Sequence, residues 1–274
     1  MTILKAACIQ TNSRPDIAEN LALIEPMIRE ARDNGAQFIA LPENVCMMTR
    51  GRENIFANAR PENEHPGIPF FQRVAKETAV WILGGTLAIV VAPGKLANRC
   101  YLYSPDGKIA AHYDKIHLFD VDISAEEKYR ESENFQRGER AVIADVPWGK
   151  LGLTICYDIR FPHLYRALAK AGANMITVPA AFTVPTGQMH WHVLLRGRAI
   201  ETGAFVLAPA QCGMHEGGRH TYGHSLIIDP LGKILAEGDG EKPGIIMADL
   251  DLAKTGEARR MLPSLKHDRA FEGP

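Results

Sequence analysis

Gly172-Ala173-Asn174-Met175-Ile176-Thr177-Val178-Pro179-Ala180 is a short apolar run entered through glycine and left through proline, the pattern of a buried strand. It repeats an earlier run, Gly35-Ala36-Gln37-Phe38-Ile39-Ala40-Leu41-Pro42-Glu43. Working outward from each, the same elements recur in the same order. Before the first run come a strand at 3–10 and a helix from residue 17, with Leu21, Ile24, Met27, Ile28 and Ala31 at 3.6-residue spacing. After it come a loop at 61–69, a helix at 70–78 and a strand at 80–89. A hairpin follows, 98–103 and 109–113, turning through Ser104-Pro105-Asp106-Gly107-Lys108. Before the second run come strands at 141–146 and from 151, and a helix at 161–171. After it come a helix at 188–202, a strand at 204–210, and a hairpin at 225–235 turning through Asp229-Pro230-Leu231-Gly232. A charged loop, 114–139, joins the halves. A last strand, 244–249, precedes a basic tail.

Each half therefore supplies one mixed sheet with helices outside it. Two such sheets must hide their apolar inner faces, and packing face to face does so. The expectation is an α/β fold: a four-layer α-β-β-α sandwich of two mixed sheets with internal pseudo-duplication, one domain over residues 1–274. A doubly wound single sheet is the alternative. The two hairpins argue against it, because a purely parallel sheet needs crossovers. At 274 residues and 46% hydrophobic, the chain can fill such a core.

A net charge of −1 and the lack of a Lys/Arg run give no reason to expect nucleic acid as a partner. No apolar run approaches the roughly 20 residues of a membrane span, and the N-terminal residues lack a signal-peptide pattern. Neither a membrane partner nor a targeting segment is expected. The five cysteines, Cys8, Cys46, Cys100, Cys156 and Cys212, are odd in number and widely spaced, which suits a reducing cytoplasm rather than a disulfide framework.

The differences between the repeats carry the chemistry. The first run ends on Leu-Pro-Glu, the second on Val-Pro-Ala, so Glu43 has a task in one half only. Cys156 lies in Leu151-Gly152-Leu153-Thr154-Ile155-Cys156-Tyr157-Asp158-Ile159-Arg160-Phe161-Pro162, where a strand hands over to a helix that Pro162 opens. Such a junction lifts a nucleophile off the sheet beside unpartnered N–H groups. A thiol is only a few per cent ionised at neutral pH and needs a base or a positive neighbour. Glu43 could serve if burial raised its pKa toward neutral, and Lys115 could hold an oxyanion. Blander readings stand beside these: a buried structural cysteine, a carboxylate capping a helix, a surface lysine. Spacing alone does not bring the three residues together. A Cys–His pair is the rival, yet His112, His117, His163, His190, His192 and His224 show no partner pattern. His190 and His192 face different ways on a helix and make a poor metal pair, and Gly84-Gly85 and Gly217-Gly218 match neither a phosphate loop nor a dinucleotide fingerprint. No metal and no cofactor is expected for the reaction.

Leu41-Pro42-Glu43, Asp114-Lys115-Ile116-His117-Leu118-Phe119 and Thr154-Ile155-Cys156-Tyr157-Asp158-Ile159-Arg160-Phe161-Pro162 resemble, in order, the three signatures of the nitrilase superfamily of carbon–nitrogen hydrolases. The resemblance covers nearly the whole chain. It implies an α-β-β-α sandwich, a homodimer or higher homo-oligomer, and a thiol amidohydrolase. In it Cys156 matches the nucleophile, Glu43 the general base and Lys115 the oxyanion-stabilising lysine. The backbone N–H of Tyr157 matches a second oxyanion donor, and Glu131 a further active-site glutamate, with Glu133 close enough to compete for that place.

Further stretches resemble the branch that hydrolyses deaminated glutathione: Ala180-Ala181-Phe182, His190 to Glu201, Ala210-Gln211-Cys212-Gly213, and Tyr222 to Pro230. Omega-amidases acting on 2-oxoglutaramate share much of this pattern. The implied reaction removes ammonia from the ω-amide of an α-keto acid or its peptide derivative through a Cys156 thioester. Hydrolysis of N-carbamoyl amino acids and a catalytically silent binding member of the fold are the alternatives. Substrate carboxylates need a cation: Arg160 is one candidate, with Arg196 and Arg198 reading better as a salt-bridged helix or dimer face. Phe182 is a pocket wall or a core residue.

Overall fold

A computed structural model describes residues 3–125 and 127–273. The ends of the expected 1–274 domain, and residue 126 of the charged loop, lie outside the described residues. The first half runs β1 (Ile3–Gln10), α1 (Ile17–Asp33), β2 (Phe38–Ala40), α2 (Arg52–Asn58), α3 (Gly67–Thr78), β3 (Trp81–Ala92), β4 (Lys95–Tyr103) and β5 (Ile109–Asp114). A two-stranded ribbon, β6 (Asp120–Asp122) and β7 (Lys128–Arg130), leads into the second half. There follow β8 (Val142–Val146), β9 (Gly149–Leu153), α4 (Pro162–Lys170), β10 (Met175–Thr177), α5 (Val184–Thr202) and β11 (Phe205–Ala208). A second ribbon, β12 (Cys212–Met214) and β13 (His220–Tyr222), precedes β14 (Leu226–Ile228), β15 (Ile234–Glu237), β16 (Gly244–Asp251) and α6 (Ala253–Met261).

The two large sheets are ordered β16-β1-β2-β3-β4-β5 and β8-β9-β10-β11-β14-β15. Read in that direction, both pair antiparallel, parallel, parallel, antiparallel, antiparallel. The duplication is thus real at the level of topology. The edge position that β8 takes in the second sheet is taken in the first by β16, the last strand of the chain. It pairs with all of β1, from Ile3 opposite Asp251 to Gln10 opposite Gly244.

Alternation along β1 shows why four layers form. Leu4, Ala6 and Cys8 join the core shared with Leu151, Leu153 and Met175 of the other sheet, whereas Ala7 and Ile9 pack under α1 with Ile24 and Ile28. A strand covered on both faces reads as a continuous apolar run, as the sequence does here. Among the described residues, no helix is long and apolar enough to cross a membrane.

Three expectations are corrected. The loop at 61–69 and the helix start at 70 give way to a short 3₁₀ turn at Glu62–Glu64 and a helix from Gly67. The helix expected from 188 begins at Val184. In each of these helices a proline, Pro69 or Pro185, sits in the first turn, where its missing N–H costs no hydrogen bond. The charged loop at 114–139 holds the β6–β7 ribbon and a 3₁₀ turn at Glu131–Glu133, and the short helix α2 had no expected counterpart.

Candidate active site

Cys156 is delivered by a strained elbow. β9 stops at Leu153, and the chain stays tied to the next strand segment through Thr154 N–H to the Thr177 carbonyl (3.2 Å) and Cys156 N–H to the Pro179 carbonyl (3.0 Å). Cys156 has φ +46°, the left-handed region that a side chain enters at a cost of roughly 1–2 kcal/mol. A 3₁₀ turn, Cys156–Arg160, follows. Buried Asp158 holds it. One carboxylate oxygen accepts the Ile155 N–H (2.9 Å) and the Tyr113 hydroxyl (2.7 Å); the other accepts the His117 N–H (3.0 Å) and lies 2.7 Å from His117 Nδ1. The His117 ring in turn stacks on Phe161, centroids 3.6 Å apart. The elbow is thereby fastened to the end of β5 in the other sheet. Backbone strain surviving inside so many fixed contacts marks a site with a function.

Glu43 is aimed from the first sheet. β2 ends at Ala40, and Leu41 N–H still bonds the Leu83 carbonyl (2.9 Å), so Pro42 and Glu43 overhang β3. β3 carries a bulge between Leu83 and Thr86, where Gly85 has φ +61° and a Cβ would stand 2.2 Å from the Pro42 carbonyl oxygen. Only glycine lets the two backbones approach this closely. Gln211 pins the same segment, donating to the Glu43 carbonyl (3.0 Å) and to Ser13 Oγ (2.8 Å).

These anchors place five side chains together. Glu43 Oε1 accepts from Lys115 Nζ (2.9 Å) and Asn98 Nδ2 (2.9 Å); Oε2 accepts the Ala181 N–H (2.9 Å). Lys115 Nζ also donates to Glu131 Oε2 (2.8 Å), which takes the Phe119 N–H as well (2.6 Å). Asn98 Nδ2 bridges to Glu131 Oε1 (3.1 Å). The Cys156 thiol lies within hydrogen-bonding reach of the Glu43 carboxylate. Of the two competing glutamates, Glu131 is in the cluster. Glu133 is exposed, and its carbonyl receives Arg52 and Lys95 at the surface.

The electrostatics correct one expectation. Burial does push the Glu43 carboxyl upward, but Lys115, and after it the thiol and Arg219, outweigh that and hold it below the usual carboxylate range. Lys115 is likewise disfavoured by burial, yet Glu131 and Glu43 keep its ammonium charged far into alkaline pH. Cys156 is pushed up, first by burial and then by Glu43. The resting state is two carboxylates, one ammonium and a neutral thiol. Losing the thiol proton to water would add a second net negative charge to a buried site, which is costly. Moving it to Glu43 leaves the buried charge unchanged. A proton relay between Cys156 and Glu43 is therefore the ionisation this site permits.

The cluster forms the floor of a cavity of about 290 Å³. Phe182 lines it while resting on the buried Trp191, ring centroids 4.8 Å apart, so it is wall and core together. Arg50, Lys128 and Arg219 add positive charge to its lining. No histidine is among the described residues that line it.

The carbon–nitrogen hydrolase model matches residues 5–260. The chain belongs to the carbon–nitrogen hydrolase family. This hydrolase is 43% identical over 269 residues to the deaminated glutathione amidase of Synechocystis sp., covering 96% of this chain and 97% of that protein. It is 33% identical over 270 residues to the omega-amidase of Bos taurus, covering 98% and 96%. Among solved structures, Saccharomyces cerevisiae Nit3, a member of branch 10 of the nitrilase superfamily, superposes with a TM-score of 0.87 at 30% identity, covering 97% and 96%. A Glu-to-Gln mutant of the amidase from Nesterenkonia sp. AN1, carrying acrylamide added to its active-site cysteine, gives 0.80 at 26%, covering 95% and 98%.

Other residues singled out in the hydrolase fall elsewhere. Arg160 stands outside the cavity lining, over the rings of Phe182 (5.5 Å) and Tyr157 (5.7 Å), with His190 Nδ1 at 3.3 Å. Arg196 binds the Gly232 carbonyl (2.8 Å), and Arg198 is buried between the Ile159 carbonyl and Glu201. The Tyr157 N–H opens the 3₁₀ turn beside Cys156, where a first-turn N–H has no partner within its own segment. Sequence reasoning missed Asn98 and Arg219. Asn98 was legible in principle, as a polar residue in the buried run Leu96-Ala97-Asn98-Arg99-Cys100. Arg219, in a Gly-Gly-Arg-His turn, gave no signal.

Proposed function

We propose that this hydrolase cleaves the ω-amide of an α-keto acid derivative, deaminated glutathione before others, with Cys156 as nucleophile. The observation that carries the reading is the Lys115 ammonium bridging Glu43 and Glu131 beside a neutral, buried thiol, under a cavity lined by cations. Cys156 Sγ attacks the amide carbon while Glu43 takes its proton. Lys115 and the Tyr157 N–H receive the oxyanion. Glu43 then protonates the departing nitrogen, leaving a thioester that a Glu43-activated water hydrolyses. Glu131 keeps Lys115 aimed and charged throughout, and Asn98 holds both carboxylates in place.

The chemistry of the substrate refines the expected product. In deaminated glutathione the ω-amide nitrogen belongs to cysteinylglycine, so that dipeptide leaves. Ammonia leaves only from a primary amide such as 2-oxoglutaramate. 2-Oxoglutarate is released from both and is the product to assay. The 2-oxo acid carboxylate suits Arg219, whose guanidinium donates to the Ala181 carbonyl (2.7 Å) at the cavity wall. A distal glycine carboxylate, present only in the peptide substrate, suits the exposed Arg50 and Lys128. Comparing kcat/KM for the two substrates tests the choice. Arg219→Met should raise KM for both, and Lys128→Met for the peptide alone. A preference for 2-oxoglutaramate, or for an N-carbamoyl amino acid, sinks it. A wild-type protein that forms no covalent adduct at Cys156 with any amide would instead support a silent binding member.

The same reading takes the protein as a cytoplasmic homodimer. Five free cysteines suit a reducing compartment, and α5 turns Met189, Val193 and Ile200 to solvent. Light scattering after size exclusion tests the dimer.

A further inference from the structure

His192, His224 and Glu237 come from three elements: α5, the turn between β13 and β14, and the end of β15. Two imidazoles converge on one carboxylate oxygen, His192 Nε2 at 3.0 Å and His224 Nδ1 at 2.9 Å from Glu237 Oε1. The three donor atoms all lie within 4.8 Å of one another. Nothing in the amide chemistry uses them, and none lines the catalytic cavity.

We propose that these three side chains form a binding site for one divalent transition-metal ion, separate from the catalytic centre. Two imidazoles and a carboxylate are the donors that suit Zn²⁺, Co²⁺ or Ni²⁺; Ca²⁺ and Mg²⁺ want oxygen. At metal–ligand bonds of about 2.0–2.1 Å, tetrahedral donors stand roughly 3.3 Å apart. The present spacing reaches that by side-chain rotation. Solvent can supply the fourth ligand, since the side chains are 30%, 29% and 38% exposed.

The surroundings hold His224 for this role. It adopts φ +52°, a strained conformation for a side chain of its size. Its carbonyl accepts the indole N–H of buried Trp191 (2.7 Å), and its N–H bonds the Asp239 carbonyl (3.2 Å). Tyr222 flanks the ring at 4.4 Å, and a Cβ on Gly240 would stand 2.9 Å from Nε2, so glycine there leaves the ring its place. Ligands fixed by buried neighbours lose little freedom on binding a metal. The sequence reading paired His192 with His190 and rejected the pair. His192 instead meets a histidine and a glutamate far along the chain, while His190 meets Arg160.

The test is a Co²⁺ titration of the full chain after EDTA treatment and dialysis, followed by visible absorption. One equivalent should bind, equally in Cys156→Ala, which separates this site from the catalytic thiol. His192→Gln, His224→Gln and the isosteric Glu237→Gln should each weaken binding by more than about tenfold, with metal-free thermal melts like wild type. Unchanged binding in the three variants, binding lost only in Cys156→Ala, or no binding at about 1 mM Co²⁺ would overturn the proposal.

Discussion

Replacing Lys115 with methionine keeps its bulk and deletes the charge between two buried carboxylates. Nζ stands 2.9 Å from Glu43 and 2.8 Å from Glu131. At an effective dielectric near 20, each contact is worth about 6 kcal/mol before desolvation. Burial of three charges takes back much of this, and breaking such a pair costs about 3–5 kcal/mol net. For a chain of 274 residues that is a fall in Tm of about 5–9 °C. The pH dependence is the sharper readout. In the wild type Glu43 is held below its unfolded value, so its stabilisation is present above about pH 4.3 and fades only as pH falls through the lower native value. In Lys115→Met the burial that raises the Glu43 carboxyl is no longer offset, so its native pKa rises above the unfolded one. Its contribution is then intact below about pH 4.3 and lost as pH rises. The Tm gap between wild type and variant should therefore be wide at about pH 8 and narrow toward about pH 5. Differential scanning calorimetry at one scan rate measures it, alongside 2-oxoglutarate release. Turnover should fall by on the order of 10² to 10³ from the lost oxyanion donor alone. A variant that is inactive but shows the same Tm gap at both pH values would refute the idea that Lys115 neutralises this pair.

Three other outcomes can be checked. Glu43→Gln should cut kcat/KM by on the order of 10³ or more, while alanine at His117, His190 or His215 should each cost less; a histidine variant as inactive as Glu43→Gln would restore a Cys–His mechanism. Iodoacetamide labelling of Cys156, followed by intact mass, should be slow at neutral pH and quicken steadily into alkali, because burial and Glu43 disfavour the thiolate; fast labelling at about pH 6 would mean a pre-ionised thiol. Gly85→Ala should lower kcat more than it raises KM, since the new methyl meets the Pro42 carbonyl that sets Glu43 in place, and unchanged kcat would show that the bulge does not position the base.

What could be read in advance depended on how local its cause was. The layered fold was legible because each strand and helix carries its own apolar period, and the duplicated order of elements then left few ways to hide two sheets. Glu43 stood out by breaking that duplication. Lys115 was a candidate whose link to Glu43 only the resemblance supplied, and Glu131 was named by resemblance alone, since the partners lie 72 and 16 residues apart and no local pattern joins them. The same distance explains the error about Glu43. Burial alone raises a carboxyl, and nothing near it in the chain announces the lysine that reverses the sign. Arg219 was invisible for the same reason: its meaning comes from the cavity it faces.

The pairing of β1 with β16 bears on synthesis. β1 leaves the ribosome roughly 240 residues ahead of the edge strand it pairs with. At about 5–20 residues per second, that edge stays uncovered for roughly 10–50 s. Eight residues of apolar strand with unpaired N–H and C=O groups are a template for other nascent chains during that interval. The first sheet is begun before the second and completed after it, so shielding of β1 during translation, more than the stability of the finished fold, should set how much protein a cell recovers.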